Sequence, residues 1–214
     1  MRIFTSYLSF ADRVAHMTSK DTKRIKMLLL FCLSIHVFCE NIIIFKNSDP
    51  HLLSAFIQEK VGKTTRDWAQ EVLFNKLEIT NLEWRAYKDG VTLGAFGILT
   101  TPREMGKIGQ LILNDGMWKG EQIVSKNWLD EMTSAKVSPN ETPFDGVAFG
   151  YMWWKDIERN VSFAAGHGGQ YILVNKDKNL VVVITSERHT VGEHNLSVYE
   201  ALSIFDMVSG GITE

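Results

Sequence analysis

The chain has 214 residues, 45% hydrophobic and 22% charged, with a formal net charge of -2, values that suit one globular domain. Its 23 Lys and Arg are balanced by 25 Asp and Glu, so no basic field exists to draw in nucleic acid and a nucleic-acid partner is not expected. The only cysteines are Cys32 and Cys39. They are too few for a disulfide-framed scaffold, and no His/Cys cluster at zinc-ligand spacing accompanies them.

Residues 1–46 differ in character from the rest. A basic cluster, Lys20 to Lys26, precedes the apolar run Met27 to Cys39, and Ile42-Ile43-Ile44-Phe45 follows. That order resembles the first two regions of a signal peptide, but 26 residues stand ahead of it. The run is also shorter than the roughly 18 apolar residues of a spanning helix. A signal or anchor segment and a buried helix or strand both fit, so a membrane association stays open.

From residue 47 onward the pattern is regular. Asp49-Pro50 opens a helix with Leu52, Leu53, Phe56 and Ile57 on one face, and Gly62 stops it. A second helix starts near Thr65 and carries Trp68, Val72, Leu73 and Leu77. Thr101-Pro102-Arg103-Glu104 reads as a capping box, opening a helix with Met105, Ile108, Leu111 and Ile112 that ends at Asn114-Asp115-Gly116. Ser125 caps a short helix with Trp128, Leu129 and Met132.

The period then changes from helical to extended. Val147 to Trp154 and Val161 to Ala165 read as strands, and Tyr171–Val174 and Leu180–Ile184 as a hairpin across Asn175 to Asn179. The stretch from His194 to Val208 reads as a helix with Leu196, Tyr199, Leu202 and Phe205 in a stripe. Helices, then antiparallel strands, then a helix predict an α+β fold in which an antiparallel sheet is flanked by helices.

One stretch carries chemistry. In Ala164-Ala165-Gly166-His167-Gly168-Gly169-Gln170-Tyr171, the paired glycines allow a close backbone approach. Free strand N–H groups beside them can bind a carbonyl or an oxyanion, and His167 adds a titratable group. A tight bend with a surface histidine explains the same residues. Trp153 and Trp154 read as core, and His189 and His194 as surface histidines rather than metal ligands.

The order Asp49-Pro50-His51-Leu52-Leu53-Ser54, Gly94 to Leu111, Gly116 to Val124, Phe149 to Trp154 and Gly166-His167-Gly168-Gly169-Gln170 resembles the serine β-lactamase-like family. That family includes class C β-lactamases, DD-peptidases, carboxylesterases and amide hydrolases. The resemblance covers about residues 47 to 190 and implies part of a β-lactamase/transpeptidase-like fold. It also implies acyl-enzyme chemistry on a small-molecule amide or ester, with no cofactor. It maps the family's strand motif onto His167, Gly168 and Gly169 and turns the N–H of Gln170 toward the oxyanion. Tyr151 would fall near the acyl pocket. Family members are often extracytoplasmic or membrane-associated, with cytoplasmic ones as well, and substrate and oligomeric state stay open.

The family's nucleophile motif, Ser-x-x-Lys, occurs nowhere in the chain. Thr133-Ser134-Ala135-Lys136 has the spacing with threonine in place of serine, and Ser19 and Lys23 are four apart. Where the family's tyrosine motif would fall, the chain reads Lys46-Asn47-Ser48. The expectation is therefore a C-terminal portion, residues 47–214, of a serine hydrolase domain, truncated and inactive alone. Residues 1–46 then have a third reading, a shifted or misassigned start. A non-catalytic binding module derived from the same fold is the alternative.

Overall fold

The computed structural model describes residues 48–186 and 196–211, together with the backbone of two strands at 36–39 and 42–45. Those two strands, β1 (His36–Cys39) and β2 (Ile42–Phe45), pair antiparallel with Cys39 opposite Ile42. Of the readings of the apolar run, the described part is therefore extended rather than helical. Among the described residues no helix is long and apolar enough to cross a membrane.

Helix α1 spans Ser48–Val61 and ends where the Gly62 N–H reaches the Gln58 carbonyl at 3.0 Å, with Gly62 at φ 70°. Only glycine takes that backbone without a penalty. Helix α2 (Thr65–Ala69) is capped by the Thr64 hydroxyl, which accepts from the Asp67 N–H at 3.0 Å. It passes directly into a π turn over Gln70–Phe74. The extra residue per turn rotates the apolar stripe, so Leu73 and Phe74 are both buried with Trp68 and Leu77. A regular helical period anticipates Leu73 but not Phe74.

Strands β3 (Leu82–Trp84) and β4 (Ile98–Thr100) form a small ribbon that leads into α3 (Pro102–Leu113). Thr101 caps α3, accepting from the Glu104 N–H at 3.4 Å. Glu104 forms an ion pair with Lys107 at 2.7 Å instead of closing the box backward, because that side chain is nearly buried and Lys107 lies one turn along. A positive-φ pair, Asp115 and Gly116, ends the helix and enters the β5–β6 hairpin (Met117–Trp118 and Glu121–Gln122). Ser125 then caps α4 (Lys126–Thr133) through the Trp128 N–H at 3.3 Å.

The rest of the chain is a five-stranded antiparallel sheet in the order β11-β10-β9-β8-β7. Its strands are β7 (Val147–Phe149), β8 (Trp154–Asp156), β9 (Val161–Gly166), β10 (Gln170–Asn175) and β11 (Leu180–Ile184). The aromatic stretch from Val147 to Trp154 is thus two strands rather than one, folded back at Gly150, where the space a side chain would need is filled by the Met132 carbonyl. Helix α5 (Val198–Gly211) closes the fold. It starts later than the sequence pattern implies. Val198, Ala201, Leu202 and Phe205 form its buried stripe, while Tyr199 faces outward and accepts from the Asp145 N–H at 2.9 Å.

Side chains alternate along each strand, and here both faces are covered. Tyr171 and Leu173 of β10 pack with Phe163, Leu202 and Phe205 beneath α5. Ile172 and Val174 pack on the other side with Ile108 and Ile112 of α3. Trp153 and Trp154 are both buried, as expected of core residues.

The seat of α3 depends on Gly109. A methyl group there would lie 2.5 Å from Val181 Cγ1 and 3.0 Å from Ile172 Cγ2, both on β-branched side chains with little rotamer freedom. Gly106, one turn earlier, would meet only Val183 at 3.9 Å. The two glycines therefore respond in opposite directions to the same change. Gly109→Ala should lower the unfolding free energy by about 1–3 kcal/mol through overpacking. Gly106→Ala should raise it by about 0.5–1 kcal/mol through helix propensity. Urea denaturation of the two variants beside the parent chain measures both signs.

Candidate active site

The stretch from His167 to Gln170 joins β9 to β10. Gly166 pairs with Gln170, and the Gly169 N–H reaches back to the Gly166 carbonyl at 3.3 Å, closing a tight turn over His167 and Gly168. Gly168 and Gly169 stand at φ 101° and 87°. Both glycines are thus required by the backbone of the turn itself.

Position 169 carries a second constraint. A Cβ there would fall 2.3 Å from Ser186 Oγ and 2.9 Å from Leu196 Cβ. Ser186, just beyond β11, donates its hydroxyl hydrogen to the Gly168 carbonyl and lies 3.3 Å from the Gly169 carbonyl. Gln170 Nε2 donates to the Gly168 carbonyl at 3.1 Å, folding its amide over the turn. The two carbonyls point inward to these donors, and the residues at 168 and 169 are buried. His167 is exposed at the tip and makes no hydrogen bond to a described residue.

Next to the turn, Tyr171 Oη donates to the Leu196 carbonyl at 2.8 Å. Burial, and then the nearby Glu200 carboxylate, push its pKa above the ordinary phenol value. Tyr171 is therefore a neutral donor near neutral pH and unsuited to act as a base. Glu200 is itself held by Ser197, whose N–H and Oγ lie 2.8 and 2.7 Å from the carboxylate at the head of α5.

The four sequence-identified positions are thus brought together in one turn. Tyr151 lies elsewhere, stacked on Trp128 of α4 at 5.7 Å. Thr133 of the Thr-x-x-Lys stretch donates its hydroxyl to the Leu129 carbonyl at 2.8 Å, and Lys136 forms an ion pair with Glu131 at 2.6 Å. That hydroxyl is occupied by the helix, and the amine by a carboxylate. Tyr171 closed the stretch read from sequence, but its hydroxyl was given no role there. Ser186 and Leu196 were not connected with it, and only their proximity in space brings them to the glycines. His189 and His194, and the Lys46-Asn47 pair, lie outside the described residues, and among those residues no group of His, Cys, Asp and Glu side chains could hold a metal ion.

The architecture, an antiparallel sheet covered by helices on both faces with a glycine turn between inner strands, is a partial β-lactamase/transpeptidase-like fold. A Bacillus anthracis protein assigned as a 6-aminohexanoate-dimer hydrolase matches it with a TM-score of 0.66 at 20% identity, over 81% of this chain and 44% of its own. An octameric penicillin-binding protein homologue from Pyrococcus abyssi matches with a TM-score of 0.59 at 16% identity, over 81% and 44%. A Mycobacterium bovis β-lactamase matches with a TM-score of 0.58 at 14% identity, over 89% of this chain and 72% of its own. At these identities the likeness is one of fold. The chain spans less than half the length of the first two structures. No protein-family model matches the sequence, and no curated protein does.

The turn's geometry predicts a graded response. Gly169→Ala places a methyl on the Ser186 hydroxyl in a left-handed backbone and should cost about 2–4 kcal/mol. Ser186→Ala removes only the hydroxyl and should cost about 1 kcal/mol. Thermal unfolding followed by circular dichroism ranks the two, and equal losses would mean that the contact at position 169 does not constrain the turn.

Proposed function

We propose that this chain carries one wall of the acyl-binding site of a β-lactamase-related serine hydrolase and forms no acyl-enzyme by itself. The observation that carries the reading is the glycine turn His167-Gly168-Gly169-Gln170, set between two inner strands of a sheet with the fold of that class. In this reading the exposed His167 faces the substrate, and the N–H of Gln170 contributes to an oxyanion hole for an amide or ester carbonyl. No serine in the chain has lysine three residues later, so the activated nucleophile of the class is not supplied from within these 214 residues. Oxyanion donors without a nucleophile leave at most a small residual rate.

A second reading, a binding module derived from the hydrolase fold, is favoured by Leu52 and Phe56. These two apolar side chains lie one turn apart on α1 and are 66% and 45% exposed. Isolated exposed apolar residues are ordinary, but an aligned pair on a helix is the start of a contact surface. Sedimentation of the chain alone tests it, since a stable monomer unchanged by Leu52→Glu removes the support.

The test of the main proposal is acylation of the purified chain by a fluorophosphonate and by a fluorescent penicillin, read by intact mass. The expected result is no adduct from a sample whose circular dichroism shows it folded, beside a reactive full-length hydrolase of this fold. A stoichiometric adduct on any serine would overturn the claim that the nucleophile is lacking, and its position would locate the true one.

A further inference from the structure

The sheet has a second site of chemical interest at the end opposite the glycine turn. Lys155 of β8 sits beside Ser162 of β9, which in turn sits beside Val174 of β10. Ser162 lies four residues before Gly166, roughly 13 Å along the strand. These three side chains share the face covered by α3, but α3 ends at Leu113 and leaves the row under a cleft of about 340 Å³. Helix α4 forms the opposite wall, and the β8–β9 and β10–β11 turns form the rim.

Lys155 is half-buried, and its Nζ donates to Ser162 Oγ at 3.4 Å. The other charges of the cleft are engaged. Asp130 accepts from Lys176 at 3.2 Å and Asp177 from Asn160 at 2.6 Å, while Lys176 is also held by Asp115 at 2.6 Å. Asp156, the neighbour of Lys155, turns to the other face of the sheet and binds Arg159 at 3.1 Å. Among the described residues no carboxylate lies within ion-pair distance of Lys155. Burial lowers its pKa, an effect the more distant Asp177 partly opposes. A partly desolvated ammonium with no counter-charge in contact is unfavourable, and a bound anion relieves it.

We propose that this cleft binds a short aliphatic monocarboxylate, with its carboxylate on Lys155 Nζ and the Ser162 hydroxyl. Ser162 accepts from Lys155, so its own hydrogen is available to the ligand. Thr133 and Ser134 cannot serve in the same way, because their hydroxyls already donate to the Leu129 and Glu131 carbonyls. Ile112 and Val174 give the alkyl chain an apolar wall. One unpaired lysine, with Asp130 and Asp177 at the edge, matches a single negative charge and opposes a phosphate dianion. The site stands apart from the glycine turn and does not depend on the hydrolase reading.

Butyrate is the probe, titrated into the full chain near neutral pH at constant ionic strength and followed by saturation-transfer NMR. Saturable binding is expected, weakened about tenfold or more in Lys155→Met and about threefold or more in Ser162→Ala, as for a lost charge-assisted hydrogen bond. Lys60→Met, on exposed α1, should leave it unchanged. A second measurement needs no variant: trinitrobenzenesulfonate modification at about pH 8, read by peptide mass. Lys155 should react faster than the exposed lysines and be protected by butyrate. Non-saturable binding, undiminished binding in folded Lys155→Met, or no protection of Lys155 would each overturn the site. Phosphate binding as tight as butyrate would overturn the assignment to a monocarboxylate.

Discussion

Strand β10 is covered on both faces, and the rest of the fold is arranged by that fact. Its neighbours β9 and β11 pair with Tyr171 to Val174 from both sides, so no edge is open along that stretch. Tyr171 and Leu173 point to α5 and Ile172 and Val174 to α3. A shift of pairing by one residue would exchange the two sets and bring the polar Gln170 and Asn175 into the wrong layers, so the register is strongly specified. The contact with α3 is the closest part of this packing. Gly109 brings the helix backbone onto Val181 and Ile172, and with it the whole layer of Ile108, Leu111 and Ile112 that joins the sheet to α2 and α4.

A fixed β10 also fixes what happens at its two ends. At its start, the backbone must reverse within three residues of β9, which puts Gly168 and Gly169 at positive φ beneath Ser186 and Leu196. The glycines are thus demanded by the turn whether or not a substrate is bound. A functional reading of the turn rests on its setting, with buried glycine backbone and an exposed His167 at the tip, rather than on the glycines as such. Glycine-rich strand turns can be conserved by geometry alone, and only a reacting partner separates the two roles.

Much of this was legible in the sequence because it depends on local rules. The Thr101-Pro102 and Ser125 caps and the Gly62 stop mark helix ends by hydrogen-bonding groups that lie within a few residues. The β10–β11 hairpin declares itself by an apolar run on each side of a polar turn. What was not legible depends on distant contacts. The π turn at Gln70–Phe74 shifts the helical stripe by one residue, and the fold-back at Gly150 answers to the Met132 carbonyl. Neither signal is local. The site divides in the same way, since His167 to Gln170 stood out as a stretch while Ser186 and Leu196 joined it only through folding.

The two ends of the sheet solve opposite packing problems. At the glycine end the strands are joined by a minimal turn and side chains are excluded. At the other end the turns are longer and polar, and buried Asn175 links them, donating to the Arg159 carbonyl at 2.9 Å and accepting from the Lys178 N–H at 2.8 Å. Arg159 bonds the carboxylates of buried Asp156 and of Asp206 on α5, so the turns are anchored to the last helix. On the other face, α3 has already ended, and the exposed ion pairs of Asp115 with Lys126 and Lys176 span the gap it leaves. Such pairs add little stability, but they hold α4 and the β10–β11 turn on either side of Lys155. A cleft persists there because polar contacts at its rim, rather than apolar packing across it, set the spacing of its walls.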